Sequence, residues 1–330
     1  MKKIIVTGGA GYIGSHCVIA LTQNGFCPII IDNFSNSYLS VIKKLEKIIK
    51  KKIIFYKADL RNKKKIKSIL NENSCSAVIH CAGSKSIKES LENPLSYFNN
   101  NIISTLSLLE CMKEKKIFKF IFSSSALVYD YNQPLPWNEN TKTGNINNPY
   151  GTTKYIIEKI LIDLAKSDYK WKVGIARYFN PISNHSSGII KENPKNNPNN
   201  LIPYIMKVAQ KKLPFLKIFG KNYPTRDGTC IRDYIHVMDL ANGHIAMLKK
   251  KSKKNLNIYN FGTGKGSSVL EVVKAFEKNT GIPIPFKYTK KRKGDNAVYY
   301  CNPTKSFNEL NWKTNYNLDQ SIKDIKIAIK

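Results

Sequence analysis

Arginine is nearly missing from this chain. It occurs at only five positions, 61, 177, 226, 232 and 292, although lysine and arginine together number 54 and the formal net charge is +31. So basic a balance invites a nucleic-acid reading. Arginine, however, is the residue whose planar fork reads phosphates and base edges, and a surface built for that work needs it. The lysines are instead scattered among asparagine and isoleucine, and clusters such as Lys50–Lys52, Lys63–Lys65 and Lys249–Lys254 fall at apparent helix ends and loops. They read as a solvated surface, so no nucleic-acid partner is expected. Long apolar runs are also lacking: none approaches the length of a membrane span, so no membrane partner is expected. Met1 leads straight into a strand without a signal-peptide pattern, and the expected location is the cytoplasm or an equivalent soluble compartment. The seven cysteines, at 17, 27, 75, 81, 111, 230 and 301, form no C-x-x-C pair, and the five histidines include no metal-spaced pair on a helix. Reduced, mostly buried thiols are expected, with neither a metal site nor a redox dithiol indicated. There is no internal repeat, and low complexity is limited to lysine and asparagine runs.

What is present is organised around the first thirty-two residues. The run Ile4-Ile5-Val6 reads as a strand buried on both faces. It meets glycines at 8, 9, 11 and 14, after which a helical pattern begins. Gly9-Ala10-Gly11-Tyr12-Ile13-Gly14 fits the dinucleotide fingerprint: one glycine for the tight turn, one for close approach to a pyrophosphate, one for packing helix on strand. The helix's free N–H groups and positive dipole end would hold the anionic bridge. A second apolar run, Pro28 to Ile31, ends at Asp32. A carboxylate there accepts ribose hydroxyls and repels a 2′-phosphate, which favours NAD over NADP.

The 330 residues, 42% apolar, suffice for a large core and two domains. Up to about residue 180, apolar runs near 53–56, 77–80, 119–123 and 173–178 read as further buried strands separated by amphipathic helices. That alternation predicts a doubly wound parallel α/β sheet of Rossmann type. After residue 181 the texture changes: Asn193 to Asn200 is rich in asparagine and proline, and a helix over Pro203–Lys211, short strands and turns follow. The expected division is a nucleotide-binding domain over 1–180 and a smaller α+β domain over 181–330 that caps the C-terminal edge of the sheet. The segment from about 233 to 260 is expected to return to the first domain. Asp59, ending the third strand, either meets an adenine amino group or caps the helix that follows. His80-Cys81-Ala82-Gly83 ends the fourth strand, where small residues let a cofactor pass, and Lys85 is either a phosphate or ribose contact or a solvated lysine.

Chemistry concentrates in two places. Phe122-Ser123-Ser124-Ser125 closes the fifth strand, at the sheet edge where ligands bind in such folds. Pro149-Tyr150-Gly151-Thr152-Thr153-Lys154 then sets tyrosine and lysine four apart at the start of a strong helix, hence on one face. A free phenol, with a pKa of about 10, is a poor base at neutral pH. A lysine ammonium one turn away, beside a positive nicotinamide, would stabilise the phenolate.

These residues resemble the extended short-chain dehydrogenase/reductase superfamily and, within it, the UDP-glucose 4-epimerase family. The resemblance spans nearly the whole chain: TGGAGYIGSH, Asp32-Asn33, FSSSALVY, NPYGTTK, RYFNP, PNNLIPYI, YPTRDGTCIRDYIHVMDLA, and RKGD before Tyr299. It implies that Tyr150 removes the sugar 4-hydroxyl proton while hydride passes from C4 to NAD⁺. Ser125 would bond that hydroxyl, and Lys154 would tune Tyr150 and hold the nicotinamide ribose. The 4-keto sugar would turn over and take hydride back on its other face, interconverting UDP-glucose and UDP-galactose. Gly8, Gly11, Tyr12, Ile13 and Gly14 would hold the dinucleotide with Asp32, Asn33, Asn36 and Ser37. Asp59, Leu60, Cys81, Lys85, Asn100 and Phe179 complete that set, together with Ser125, Tyr150 and Lys154. Asn180, Asn200, Leu201, Phe219, Arg232, Arg292, Asp295 and Tyr299 would hold the UDP-sugar with Ser125 and Tyr150. Two of the few arginines thus fall where a diphosphate needs them. The resemblance also implies a homodimer formed through helices around 101–112 and 155–165, whose apolar positions exceed what one sheet face requires.

Four positions depart from the pattern of that family. Cys81 stands where a bulkier aromatic is common, and Asp130, Ser183 and Lys191 replace glycines; Asp130 is expected to tolerate left-handed backbone. Among competing readings, a dehydratase of this fold would carry an Asp-Glu pair just after the strand-end hydroxyl, where this chain has Ala126-Leu127. A decarboxylase of the same fold and another nucleotide-sugar epimerase also compete. So does a non-catalytic NAD-binding regulator, which degenerate Tyr, Lys or substrate positions would mark; none is degenerate.

Overall fold

The computed structural model describes residues 1–193, 195, 200–292 and 295–327. The first half runs β1 (Lys3–Thr7), α1 (Tyr12–Gln23), β2 (Cys27–Asp32), α2 (Ser40–Ile49), β3 (Ile54–Lys57), α3 (Lys63–Glu72), β4 (Cys75–His80), α4 (Ile87–Glu92), α5 (Pro94–Phe98) and α6 (Ser104–Glu114). Then come β5 (Lys119–Ser123), α7 (Pro149–Ser167), β6 (Lys172–Tyr178), β7 (Asn180–Ile182), α8 (Leu201–Ala209), β8 (Leu216–Phe219), β9 (Ile231–His236) and α9 (Val237–Lys249). The chain continues through β10 (Leu256–Phe261), β11 (Gly266–Ser268), α10 (Val269–Thr280), β12 (Phe286–Thr289), β13 (Val298–Tyr299), α11 (Thr304–Leu310) and α12 (Leu318–Ile327).

Seven parallel strands form one sheet in the order β10-β6-β5-β4-β1-β2-β3. The order reverses between β1 and β4, which opens a crevice at the C-terminal strand ends. Alternate residues point to opposite faces. Ile4 and Val6 join α1, α2 and α9 on one side, and Ile5 joins α3, α6 and α7 on the other. Both faces being covered explains the unbroken apolar strands. The third strand is the exception to the expected pattern: at the sheet edge, β3 leaves Ile54 and Phe55 exposed, because only one neighbour and little helix cover it. Beyond β6, β9 pairs with β7, β11 and β13, and β8 pairs with β12. A separate core of α8, α10, α12 and these strands lies there, while α9 and β10 join the large sheet. No helix among the described residues is long and apolar enough to cross a membrane.

Several local expectations are corrected. The helix placed at Pro203–Lys211 starts earlier, at Leu201. Asp59 does not cap α3; Asn62 does, accepting the Lys65 N–H at 3.1 Å. Of the glycine replacements, Ser183 takes the left-handed backbone, with φ 78°, and Asp130 does not. The Asp130 carboxylate instead accepts the Asn132 N–H and the Asn145 side chain.

A buried ion pair joins β6 to α7. Arg177 and Glu158 are almost wholly enclosed and meet at 2.6 Å through a forked contact. Ser124, just past β5, donates to the same carboxylate at 2.5 Å. Removing one partner of such a pair strands the other charge. Glu158→Ala should therefore lower the unfolding free energy by about 3–5 kcal/mol, read by urea denaturation; a loss below about 1 kcal/mol would show that the pair does not hold these elements together.

Candidate active site

The glycine turn shows why it needs glycine. Gly8 has φ +66°, and a Cβ there would meet the Ala82 nitrogen at 2.7 Å; one on Gly14 would meet the Gly8 carbonyl at 2.2 Å. The β1–α1 turn, the start of α1 and the chain leaving β4 are thereby pressed together. Beside them lies a cleft of about 680 Å³. Every residue expected to hold the cofactor lines it except Ser125 and Phe179. The first-turn N–H groups of α1, which have no intrahelical acceptors, sit at its centre. A glycine cradle, helix N-terminus and carboxylate at the end of β2 together fit a dinucleotide.

The side chains along the cleft already have protein partners. Asp32 accepts the Ala10 N–H at 3.0 Å, the Phe34 N–H at 2.8 Å and the Ser37 hydroxyl at 2.9 Å. Asp59 is gripped by Arg61, whose hydrogen bonds lower its carboxyl to about 2, and takes a bond from Asn33 at 3.4 Å. Asn36 accepts the Lys195 N–H, Asn100 donates to Ser84, and the Tyr12 hydroxyl donates to the Ser183 carbonyl. Lys85 meets Glu192 at 2.6 Å, and Asn200 donates to the same carboxylate at 2.8 Å. Glu192 therefore joins both rims of the cleft, a role no motif signalled.

At the cleft's inner end α7 begins. Pro149 opens it, and the Asn148 side chain caps it by accepting the Gly151 N–H at 2.8 Å. Tyr150 and Lys154 point inward and are buried. Burial pushes the Tyr150 phenol up to about 12, with the Ser125 hydrogen bond pulling the other way. Lys154 donates to the Ser123 carbonyl at 2.7 Å and lies 4.7 Å from the centre of the Phe122 ring. The ammonium is thus fastened to the end of β5 rather than to the phenol, and within the chain alone desolvation dominates both groups. Ser125 itself accepts the Leu127 N–H at 3.2 Å.

The residues expected to hold a sugar nucleotide gather beyond Tyr150. Tyr299 stacks 5.7 Å from Trp137 and lies under the Arg232 guanidinium at 4.3 Å, with Asn180 near enough to lower its phenol against burial. Phe179 packs 6.1 Å from the Tyr299 ring instead of facing the cleft. Arg232 binds Asp295 at 2.5 Å and the Ile231 carbonyl at 2.8 Å. Arg292 lies over the Phe219 ring at 3.9 Å and pairs with no carboxylate among the described residues. Leu201 opens α8 against the smaller core. Among the described residues no donor meets the buried Asn180 Oδ1, an acceptor that a ligand could use. Pro198, Asn199, Lys293 and Gly294, which belong to the PNNLIPYI and RKGD motifs, lie outside the described residues.

Sequence reasoning missed two further groups. Glu158 stands four residues beyond Lys154, and that spacing on one helix face was its only signal. Cys17, Cys81 and His244 come together from α1, the end of β4 and α9, and no spacing signals such a set.

Comparison with known proteins gives three findings. Residues 5–325 match the family model described as GDP-mannose 4,6 dehydratase. The chain is 45% identical over 325 residues to a UDP-glucose 4-epimerase of Neisseria meningitidis serogroup C, covering 98% of this chain and 96% of that one. Its fold is similar to the UDP-glucose 4-epimerase of Stenotrophomonas maltophila, solved with NAD and formylated UDP-arabinopyranose, with TM-score 0.97, 39% identity and coverage of 100% and 98%. It is similar also to that of Bifidobacterium longum with NAD⁺ and UDP, with TM-score 0.96, 42% identity and coverage of 99% and 98%.

Burial lowers the Lys154 ammonium from its ordinary 10.5 to about 8, against the pull of Cys81 and Glu158. Between those values the unfolded chain binds the extra proton, so stability rises with pH there and is lost as pH falls through about 8. Relative to Lys154→Met, the nucleotide-free unsubstituted protein should gain thermal stability from about pH 7 to about pH 10. A constant difference in melting temperature would show that Lys154 is not shifted.

Proposed function

The chain belongs to the UDP-glucose 4-epimerase family, and from that premise we propose that Tyr150, Ser125 and Lys154 carry out its interconversion of UDP-glucose and UDP-galactose. It is an NAD-dependent isomerase acting at sugar C4. The observation that carries the residue assignment is the burial of Tyr150 and Lys154 on one face of α7, with Ser125 close enough to the phenol to pull its pKa down against burial.

NAD, when bound, supplies a hydride acceptor that oxidises C4 and returns hydride to the opposite face, and adds positive charge beside the Tyr150 phenol. The glycine turn and α1 would hold its pyrophosphate, and Asp32 its ribose. Tyr150 takes the proton of the 4-hydroxyl and gives it back after the ketone has turned over. Ser125 orients that hydroxyl. Lys154, fixed to the Ser123 carbonyl, holds positive charge at the inner end of the cleft, which favours the phenolate. Arg232 and Arg292 neutralise the diphosphate, and Asn180 Oδ1 accepts from the substrate. The dehydratase description of the family model does not extend to elimination here: the turn after Ser125 offers Ala126 and Leu127, which carry no proton-transferring group.

We assign residues 1–180 with the returning 233–260 segment to cofactor binding, and the remainder to the UDP-sugar. A homodimer is proposed through the face where Ile87, Leu91, Leu95 and Ile103 are exposed, Leu95 at 81%. Ile103 belongs to the first of the two helices expected from sequence, and Ile87, Leu91 and Leu95 lie N-terminal to it. The seven cysteines are all free, which supports a reducing, cytoplasmic location.

The test is whether purified protein interconverts UDP-galactose and UDP-glucose without added NAD⁺ and releases NAD(H) on denaturation. Release of mainly NADP(H), or no interconversion, would overturn the reading. Tyr150→Phe should lower turnover at least about 10²-fold with little change in UDP-sugar affinity; near-normal turnover would remove Tyr150 from the mechanism.

Tyr299 is proposed to limit substrate size. Its ring packs on Trp137 and Phe179 beneath Arg232, contacts it would have to give up to make way for an acetamido group at sugar C2. Overpacking of that kind costs about 1–3 kcal/mol, roughly ten- to hundredfold in selectivity. Tyr299→Cys should admit UDP-N-acetylglucosamine and leave UDP-galactose turnover largely intact. Equal epimerisation of both substrates by the unsubstituted protein would show that Tyr299 is no gate.

A further inference from the structure

Three soft donors converge in the wall of the cofactor cleft. Cys17 on α1, Cys81 just after β4 and His244 on α9 each bring one ligand atom within 4.8 Å of the other two. Cys17 and His244 are fully enclosed, whereas Cys81 borders the cleft and so leaves a way in. His244 is already in the form a metal needs. Its Nδ1 lies 2.9 Å from the Leu240 carbonyl, and a carbonyl only accepts, so Nδ1 carries the proton and Nε2 presents a lone pair.

Ser123 stands at a fourth corner. Its hydroxyl donates to His244 Nε2 at 2.8 Å, a bond that an ion would replace, and lies 3.2 Å from Cys81 Sγ. Around a tetrahedral zinc-class ion, with bonds of about 2.3 Å to sulfur and about 2.0–2.1 Å to nitrogen, neighbouring donors sit roughly 3.6–3.8 Å apart. The set therefore needs a shift of no more than about 1 Å to close on such an ion. Charge also balances: a divalent cation with two thiolates and a neutral imidazole leaves no net charge to bury, and the two thiol protons are released to solvent. A hard cation is excluded, because no carboxylate belongs to the set.

We propose that Cys17, Cys81 and His244 form a binding site for a thiophilic cation of the zinc class, with the Ser123 hydroxyl at the fourth position. The site shares Cys81 with the wall of the cofactor cleft and Ser123 with the anchor of Lys154, whereas no step of the proposed reaction uses Cys17 or His244.

The experiment adds cobalt(II) to the NAD-loaded protein, prepared reduced and metal-free. The expected result is a thiolate-to-cobalt charge-transfer band with the visible bands of tetrahedral cobalt, saturating at one equivalent per chain and displaced by zinc. Cys17→Ser should lose the charge-transfer intensity while its metal-free epimerase turnover and NAD content stay unchanged, which reports that it has folded. His244→Gln should weaken binding and remove the tetrahedral signature. Absence of thiolate-bound cobalt in the unsubstituted protein, with its thiols titrating as reduced, would overturn the proposal. So would an undiminished band in Cys17→Ser, which would place the metal elsewhere.

Discussion

The buried contact between Arg177 and Glu158 is the constraint on which the site's geometry depends. It locks β6 to α7, and through Ser124 it also locks the chain just past β5 to the same carboxylate. Tyr150 and Lys154 ride on α7, and Ser125 follows Ser124, so the three proposed catalytic groups share one rigid frame. The arrangement is costly, because two charges have left water. It is tolerated because the contact is forked and the remaining carboxylate capacity is used by Ser124. The Arg177 guanidinium also lies over the Tyr129 ring at 4.8 Å, which ties in the loop after β5.

Around that frame the two halves of the cleft solve different problems. The cofactor half is made mostly of backbone. Its glycine turn and the small residues after β4 let a dinucleotide approach closely, and Asp32 is held in place by two N–H groups and a hydroxyl before any ribose arrives. The sugar-nucleotide half is made of side chains. There Arg232 is held by Asp295 and backbone carbonyls, whereas among the described residues Arg292 lies over the face of Phe219 without an ion pair. The first is a fixed charge. The second is the better placed to turn toward a diphosphate.

Burial acts on the two proton-handling groups in opposite senses, raising the phenol and lowering the ammonium. Both shifts disfavour the charged pair that catalysis needs. The tyrosine and lysine are thus poised by their surroundings to respond to charge brought by the cofactor, and a cleft without it is no proton acceptor at neutral pH.

Much of this was legible along the chain because it is local. Unbroken apolar runs mark the strands, Gly8 to Gly14 mark the turn, and the four-residue interval between Tyr150 and Lys154 puts both on one helix face whatever the fold around them. Asp32 follows from its place at a strand end. Local pattern failed where exposure depends on neighbours: Ile54 and Phe55 look buried in sequence, but β3 is an edge strand. It failed again where partners are distant. Nothing near Lys85 announces Glu192, nothing near Arg177 announces Glu158, and Cys17, Cys81 and His244 meet only because the helices α1 and α9 cover the same face of the sheet. Spacing reports which residues share a strand or a helix. Contacts between elements are set by how those elements pack, and packing depends on the summed burial of the whole chain rather than on any one interval.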